Sequence, residues 1–448
     1  MRAQSFLFPV YRGCGPNRLA LGAGLWLYDL LARAPRAQRH RRLNGDGTLA
    51  VEPALNPEGL VGGALYYDAV ADDARLTMEN ALDAMYHGGV VANYVELMRF
   101  SRVSGRIAAA EVRDAVGGAS FELRARLFIN AAGPWVDDVR RLDARETAPL
   151  VRLTKGTHLV ISRERLPVRE ALVLGDGHGR IVFVIPHGEV VLLGTTDTDF
   201  SGDRDHVTAD PEDVAYLLDV VSRRLRGAPL VAADVAASFA GLRALVAGRK
   251  NAPSSVTREE VISRSDSGLI SIAGGKLTTH RHIAERVTDL AIGMLGRGSA
   301  RSPTIDTPLP GARPADLDVD DGADALGALP SEVRDAMASR YGTRAVIPAR
   351  LASESPDLAR PLAPGCPVLR AEVIYALGYE MATTVSDFIV RRTAVSWRHP
   401  ACARAAAAAT ARLMAAMLGW DSARERAEAA GFAPAPAGPI AGHAGEVR

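Results

Sequence analysis

The spacing of apolar residues changes several times along this chain, and each change marks a predicted element. Residues 60–100 read "LVGGALYYDAVADDARLTMENALDAMYHGGVVANYVELMRF". The pattern predicts a short strand and a turn, then a helix with Leu76, Leu82 and Met85 on one side, a Gly88-Gly89 stop, and a strand from Val90 to Val95. Strand, helix, glycine stop and strand is the rhythm of an α/β layer. The text "EVRDAVGGASFELRARLFINAAGPW" then alternates over two short strands joined by Gly117-Gly118, which is hairpin chemistry. A third apolar strand, Leu127 to Asn130, runs into Ala131, Ala132, Gly133, Pro134 and Trp135, small residues that let a ligand approach the backbone.

From Leu150 to about Ala240 the alternation becomes strand-like and is broken by Gly-containing turns, with a helix at "PEDVAYLLDVVSRRLR". This predicts a mostly antiparallel sheet, a substrate domain laid on a nucleotide-binding one. The segment "SGLISIAGGKLTTHRH" reads as a buried strand over Leu269–Ile272, a Gly274-Gly275 turn and a helix that begins at Lys276 and carries Ile283, Val287 and Leu290 on its apolar side. After Gly296 a stretch rich in Pro, Gly, Asp and Ala reads as a linker. Beyond it "SEVRDAMASRYG", "LRAEVIYALGYEMA", "TVSDFIVRRTAVSW" and "ACARAAAAATARLMAAMLGW" predict a small all-α domain, and the tail from Ala433 is expected to be disordered. No internal repeat is visible.

Composition narrows the function. A chain of 448 residues with 53 Lys+Arg against 52 Asp+Glu lacks the positive field of a nucleic-acid binder and is long enough for two or three domains. Cys14, Cys366 and Cys402 form no CxxC pair, which argues against a disulfide framework or a metal site and favours a reducing compartment. The N-terminal text has no signal-peptide pattern, and no uncharged apolar run approaches the roughly 20 residues of a membrane span. GxSxG, HExxH and GxxxxGK[ST] are absent.

Four places carry candidate chemistry, each with a plainer alternative. Lys276 after Gly274-Gly275 puts a full charge and the hydroxyls of Thr278 and Thr279 at a helix start, an anion seat, or else the glycines only turn the chain and the lysine is solvated. Arg243 in "FAGLRALV" suits forked binding of phosphate or carboxylate, or forms a structural salt bridge. His158 in "LTKGTHLVIS" is a candidate base, or a satisfied structural residue. Thr195, Thr196 and Asp197 line a site or cap a turn, and the turn is the cheaper explanation.

Taken in order, "FLFPVYRG", "YYDAVADDARL", "NAAGPWVDD", "KGTHLV", "RIVFVIPHG", "GTTDTD", "AGLRALV", "GGKLTTHR", "TPLPG" and "DFIVRRT" resemble the quinone-linked, FAD-dependent glycerol-3-phosphate dehydrogenases of the D-amino-acid-oxidase-like flavoprotein superfamily. The resemblance implies α/β plus α+β architecture: a glutathione-reductase-like FAD-binding domain, incomplete here, with an antiparallel β substrate domain and a small all-α C-terminal domain. It sets an oxidoreductase domain over 1–300, with a nucleotide-binding part at about 60–150 and 255–300 and a substrate part at about 1–60 and 151–254. The C-terminal domain covers 301–432 and the tail 433–448.

By the same resemblance Arg243 and Lys276 bind the substrate phosphate and His158 lies near the reacting carbon. Val95, Ala131, Gly133, Trp135, Gly274, Gly275, Leu277 and Thr278 contact FAD. The implied reaction takes a hydride from carbon 2 of glycerol 3-phosphate to the flavin, giving dihydroxyacetone phosphate, with electrons passed to a quinone. A cytoplasmic protein is implied, with a homodimer and a peripheral membrane contact among the expectations. "GLWLYDLLARAPRAQRHRRL" is compatible with such a contact, or is a packed helix followed by a solvated basic loop.

Three departures stand out. Ala244 replaces a usual Pro and His280 a common Tyr. The opening GxGxxG unit that holds the FAD pyrophosphate has no counterpart, and "MRAQSFLFPVYRG" matches text that follows it in the family. The expectation from this is an exposed edge on the parallel sheet, in a chain whose start lies upstream, or that is a remnant, or that is completed by another chain. The alternatives kept in function are a related flavin oxidoreductase acting on an amino or hydroxy acid, and a non-catalytic remnant.

Overall fold

The computed structural model describes residues 2–13, 17–247, 259–298, 300–313 and 319–432. Cys14 and the tail from Ala433 lie outside them. The largest element is a nine-stranded sheet in the order Thr198–Asp199, Val151–Ser162, Val190–Gly194, Ile181–His187, Ala171–Gly175, Arg2–Tyr11, Leu60–Val70 and Arg41–Asn44, with Val235–Val246 also paired to Val151–Ser162. All its pairings are antiparallel except that of Arg2–Tyr11 with Ala171–Gly175, so the predicted β-rich half is present.

Strand alternation divides this sheet into two working faces. Leu159 and Ile161 point into the main core with Leu7, Leu172, Leu174 and Leu193, and are fully buried. That face is closed by the helix Pro211–Arg224, whose Val214, Leu217, Leu218 and Val221 follow the i, i+3, i+4, i+7 spacing of an apolar stripe. Pro211 pre-sets the first helical turn, and Asp213 reaches back to the Asp210 backbone N–H at 3.4 Å.

The stretch 60–103 differs from its reading as an α/β layer. Leu60–Val70 belongs to the large sheet, antiparallel to Arg2–Tyr11, rather than to a nucleotide-binding part. Residues 90–94 are not a strand; Val95–Val103 instead forms a separate antiparallel sheet with Arg106–Asp114 and Ser120–Arg124. The helix Asp73–Tyr86 therefore links two sheets instead of crossing over within one. Periodicity reports a helix between strands, and pairing is set by partners far away in sequence.

The third sheet orders Glu260–Arg264, Ile270–Gly274 and Ile129–Asn130, and its last pair is parallel. Ile129 sits at its edge, 47% exposed. Ahead of the next helix, a 3-10 turn covers Leu277–Thr279, and the α-helix runs only from His280 to Met294. The helix does not start at Lys276 because Thr279 Oγ1 donates to the Lys276 carbonyl at 3.0 Å, a local bond that competes with helical continuation.

The C-terminal part is all helical, with two buried clusters around Phe388 and Ala406 and around Tyr341 and Tyr375. Part of the stretch read as a linker is the helix Val319–Ala328, and Val346–Glu354 and Ser422–Gly431 are helices that the sequence pattern did not announce. Among the described residues, Pro400–Leu418 is the one helix long and apolar enough by composition to cross a membrane, although it carries Arg404 and Arg412; it buries Ala403, Ala406, Ala407, Thr410, Ala411 and Met414 in this domain's core.

Buried charges join this domain to the rest. Arg75 donates through Nη1 and Nη2 to both oxygens of Glu380 at 2.8 and 2.7 Å, with Glu380 fully buried. Tyr94 donates to Asp387 at 2.9 Å, and Glu79 accepts from the Gly311 N–H at 2.6 Å. Removing one member of a buried, bidentate pair strands the other. Glu380→Gln is accordingly expected to cost about 3–5 kcal/mol in urea unfolding, and Arg75→Met with Glu380→Leu substantially less. A single-variant loss below about 1 kcal/mol would contradict this anchoring role.

Candidate active site

The strand Val151–Ser162 lies between Val235–Val246 on one side and Val190–Gly194 on the other, which sets the register of the site: His158 opposes both Phe239 and Gly194, and Thr154 opposes Arg243. The odd-numbered side chains near His158 turn to the helix side. Lys155, 3% exposed, is ion-paired to Asp210 and, at 2.8 Å, to Asp213, while Thr157 Oγ1 donates to Asp213 at 2.7 Å. Lys155 is thereby neutralised inside the fold. The even-numbered positions, with Phe239, Gly241 and Arg243 of the partner strand, form the opposite face.

On that face glycines make room for function. A methyl group at Gly156 would sit 2.6 Å from Arg243 Nη2, and one at Gly194 would sit 2.2 Å from His158 Cδ2. Arg243 is therefore folded over Gly156. Its Nη1 donates to the Thr196 carbonyl at 3.2 Å and its Nη2 to Thr195 Oγ1 at 3.2 Å. The nearest carboxylate, Asp197, is 3.4 Å away, and both side chains remain about a third exposed. Unlike Lys155, Arg243 is oriented by neutral acceptors and a long ion pair, which leaves charge for an external anion. The turn of Thr195, Thr196 and Asp197 thus serves the site by holding the arginine.

His158 stacks on Phe239, ring centroids 5.0 Å apart and planes 15° from parallel. Burial, then the nearby Arg243 charge, pushes its pKa down to about 4, against a smaller opposing pull from Asp73. At neutral pH the imidazole is uncharged and has a nitrogen free to accept a proton.

Two of the predicted flavin-contact segments, the turn Gly133–Trp135 and the strand ending at Gly274, pack against the Val235–Val246 strand of this pair. A methyl group on Gly274 would meet Val246 Cγ2 at 2.5 Å, so this turn closes on the strand three residues past Arg243. Gly274 and Gly275 have φ of +76° and +83°, a conformation that favours glycine. Ala131 precedes the Gly133–Trp135 turn and Thr278 lies in the Leu277–Thr279 turn. Val95 is set apart: it opens a strand of another sheet, opposite Asp114.

Lys276 is exposed, and its amine makes no ion pair among the described residues. No side chain caps the helix start that follows. Leu277, the residue after Lys276, is 49% exposed, and Trp135, in the turn that packs against the strand Ile270–Gly274, is 40% exposed. A cationic, uncapped helix start flanked by exposed apolar side chains fits the electron-rich edge and faces of an isoalloxazine ring. Among the described residues no cluster of His, Cys, Asp and Glu could hold a metal ion.

Phe239, Gly156 and Gly194 were not singled out in the sequence. The signal available for them was parity: each stands opposite or two residues from His158 or Arg243 once the strands are paired. Trp397 was equally unmarked, although its ring lies 5.9 Å from that of Phe239.

Comparison with known proteins identifies the family. Residues 7–290 match the model for FAD dependent oxidoreductases, and residues 302–425 match the C-terminal domain of alpha-glycerophosphate oxidase. The chain is 35% identical over 428 residues to a glycerol-3-phosphate dehydrogenase of Mycobacterium leprae, covering 93% of this chain and 71% of that protein. It is 32% identical over 404 residues to the aerobic glycerol-3-phosphate dehydrogenase of Staphylococcus haemolyticus, covering 86% and 71%. The solved glycerol-3-phosphate dehydrogenase of Bacillus halodurans, complexed with FAD, superposes with a TM-score of 0.79 at 29% identity, covering 96% of this chain and 80% of that one.

The depressed histidines give a testable pH dependence. His187, like His158, is pushed to about 4, mainly by burial and then by Arg398. Unfolded histidines take up protons near 6.5, whereas these stay neutral in the fold until about pH 4. Protonation therefore favours the unfolded chain: the penalty is absent above pH 7, grows from 6.5 to 4, and then levels off. Between pH 7.5 and 5 stability should fall by at most about 2 kcal/mol for each histidine. Denaturant titrations should show a smaller fall in a His158→Gln, His187→Gln chain; an equal fall would refute the assignment.

Proposed function

Because the chain belongs to the FAD-dependent oxidoreductase family and its C-terminal part to the alpha-glycerophosphate oxidase type, we propose that it oxidises sn-glycerol 3-phosphate to dihydroxyacetone phosphate. The observation that carries the proposal is the placement of a neutral His158 and an incompletely paired Arg243 on one face of one strand pair.

Each residue has a distinct task. Arg243 offers its guanidinium fork to the substrate phosphate, a group of charge near −2 at neutral pH. Lys276, exposed to solvent, adds a second cation ahead of the helix start. His158 accepts the proton from the hydroxyl on carbon 2 as that carbon becomes a carbonyl. Phosphate bound at Arg243 offsets the positive charge that depresses His158, so binding raises the basicity of the imidazole when it is needed. When bound, FAD supplies the acceptor for the hydride leaving carbon 2.

Replacing Arg243 by Ala should raise KM for glycerol 3-phosphate about 100-fold or more, as expected for a lost charge-assisted fork, while flavin content stays at the parental level. Equal loss of flavin and of substrate affinity would show that Arg243 is structural.

We extend the proposal to a membrane quinone as the electron acceptor and to a peripheral contact on the cytoplasmic face of a membrane. The support is the helix Arg18–Leu31, which buries Gly22 and Leu25 but exposes Leu19, Trp26, Leu27, Leu30 and Leu31, with Trp26 62% and Leu31 75% accessible. Arg33, Arg36, Arg39, Arg41 and Arg42 follow it, all exposed. An apolar face bordered by arginines matches an anionic lipid surface. The chain should co-sediment with vesicles containing phosphatidylglycerol and lose that association in a Trp26→Ser, Leu30→Ser variant. Retention of the variant on the vesicles would exclude this helix as the contact.

A further inference from the structure

We propose that Trp397, from the C-terminal helical domain, is a positioning residue for His158 and acts through Phe239. The three rings are in continuous contact: Trp397 lies 5.9 Å from Phe239, tilted by 40°, and Phe239 stacks on His158 at 5.0 Å and 15°. Behind the histidine ring Gly194 leaves no slack. Trp397 also packs beside Val160, Val190 and Ala237 on the site face of the sheet.

The backbone that presents Trp397 is irregular and firmly held. A π-helical turn covers Asp387–Arg392, and Ala394 then adopts φ +55°, unusual for a residue with a side chain. Asp387 accepts from the backbone N–H groups of Thr383 and Thr384 at 3.0 and 3.1 Å. Arg392 donates through Nε and Nη2 to the Glu380 carbonyl at 2.9 and 2.7 Å.

The contacts close a circuit. The Glu380 side chain holds Arg75, whose backbone N–H is capped by Asp72 at 3.0 Å. Asp72 accepts from Arg398 Nη2 at 2.6 Å, and the Arg398 guanidinium lies over the Trp397 ring at 4.9 Å. Trp397 is thus fixed from the catalytic side by Asp72 and from its own domain by Glu380 and Arg392. A surface packing residue would need no such frame.

The inference rests on His158 as the proton acceptor, but its test does not require turnover. Arg243 and Asp73 are the charged groups that bear on His158, and His187 and Arg398 flank Trp397. In the full chain carrying labelled histidine, the His158 resonance is identified by its loss in His158→Gln and then followed against pH by NMR. Trp397→Ala and Trp397→Leu should each move the His158 midpoint upward from about 4 by about one pH unit, because water reaches Phe239 and the imidazole. Trp397→Phe should keep it low.

In flavin-loaded protein Trp397→Leu should lower kcat about tenfold with KM changed less than about twofold. An unmoved His158 midpoint in Trp397→Leu, with native circular dichroism, would overturn the inference, and Trp397→Leu decides alone should Trp397→Ala not fold. A shifted midpoint in a chain that oxidises no glycerol 3-phosphate would uphold the positioning role and defeat the proposed reaction instead.

Discussion

The pleat of the strand Val151–Ser162 is the constraint on which the site depends. Its two-residue period sends Lys155, Thr157, Leu159 and Ile161 to the helix Pro211–Arg224 and the core, and leaves Gly156, His158 and Val160 on the opposite face. A slip of one residue would exchange the two sets, burying the histidine against the core and pulling Lys155 away from Asp210 and Asp213. The register is secured on both sides, by pairing with Val235–Val246 and with Val190–Gly194. Two cations one face apart therefore have opposite fates. Lys155 is cancelled by carboxylates, whereas Arg243 is oriented by a carbonyl, a hydroxyl and a longer ion pair to Asp197 and stays about a third exposed.

The second dependence is between domains. Arg75 with Glu380 and Asp72 with Arg398 bind the helical domain to the helix Asp73–Tyr86 and its cap through charged groups. Such pairs add little net stability over apolar packing, since desolvation offsets most of their attraction, but they accept only one arrangement. That selectivity suits a domain whose Trp397 must arrive against Phe239 at a fixed distance.

Much of this was legible in the sequence where local chemistry decides. The Gly117-Gly118 hairpin joins two strands as read, and the helix at Pro211–Arg224 follows its apolar stripe. Elsewhere distant partners decide. Leu60–Val70 carries a pattern that any sheet would accept, and only its pairing with Arg2–Tyr11 places it. The helix Val319–Ala328 is hidden in a stretch whose Pro, Gly and Asp content reads as linker. Trp397 lies more than two hundred residues from His158, and an aromatic at helical spacing gives no sign of which ring it will meet.

The central claim is that Arg243, Lys276 and His158 form a site for a phosphorylated secondary alcohol beside a flavin. Its most direct test is anaerobic addition of sn-glycerol 3-phosphate to the FAD-loaded chain while the visible flavin band is recorded. The account requires that the band bleach, that inorganic phosphate slow the bleaching competitively, and that lactate and glycine leave the band unchanged. A chain that holds FAD yet bleaches with glycine or lactate and not with glycerol 3-phosphate would contradict it.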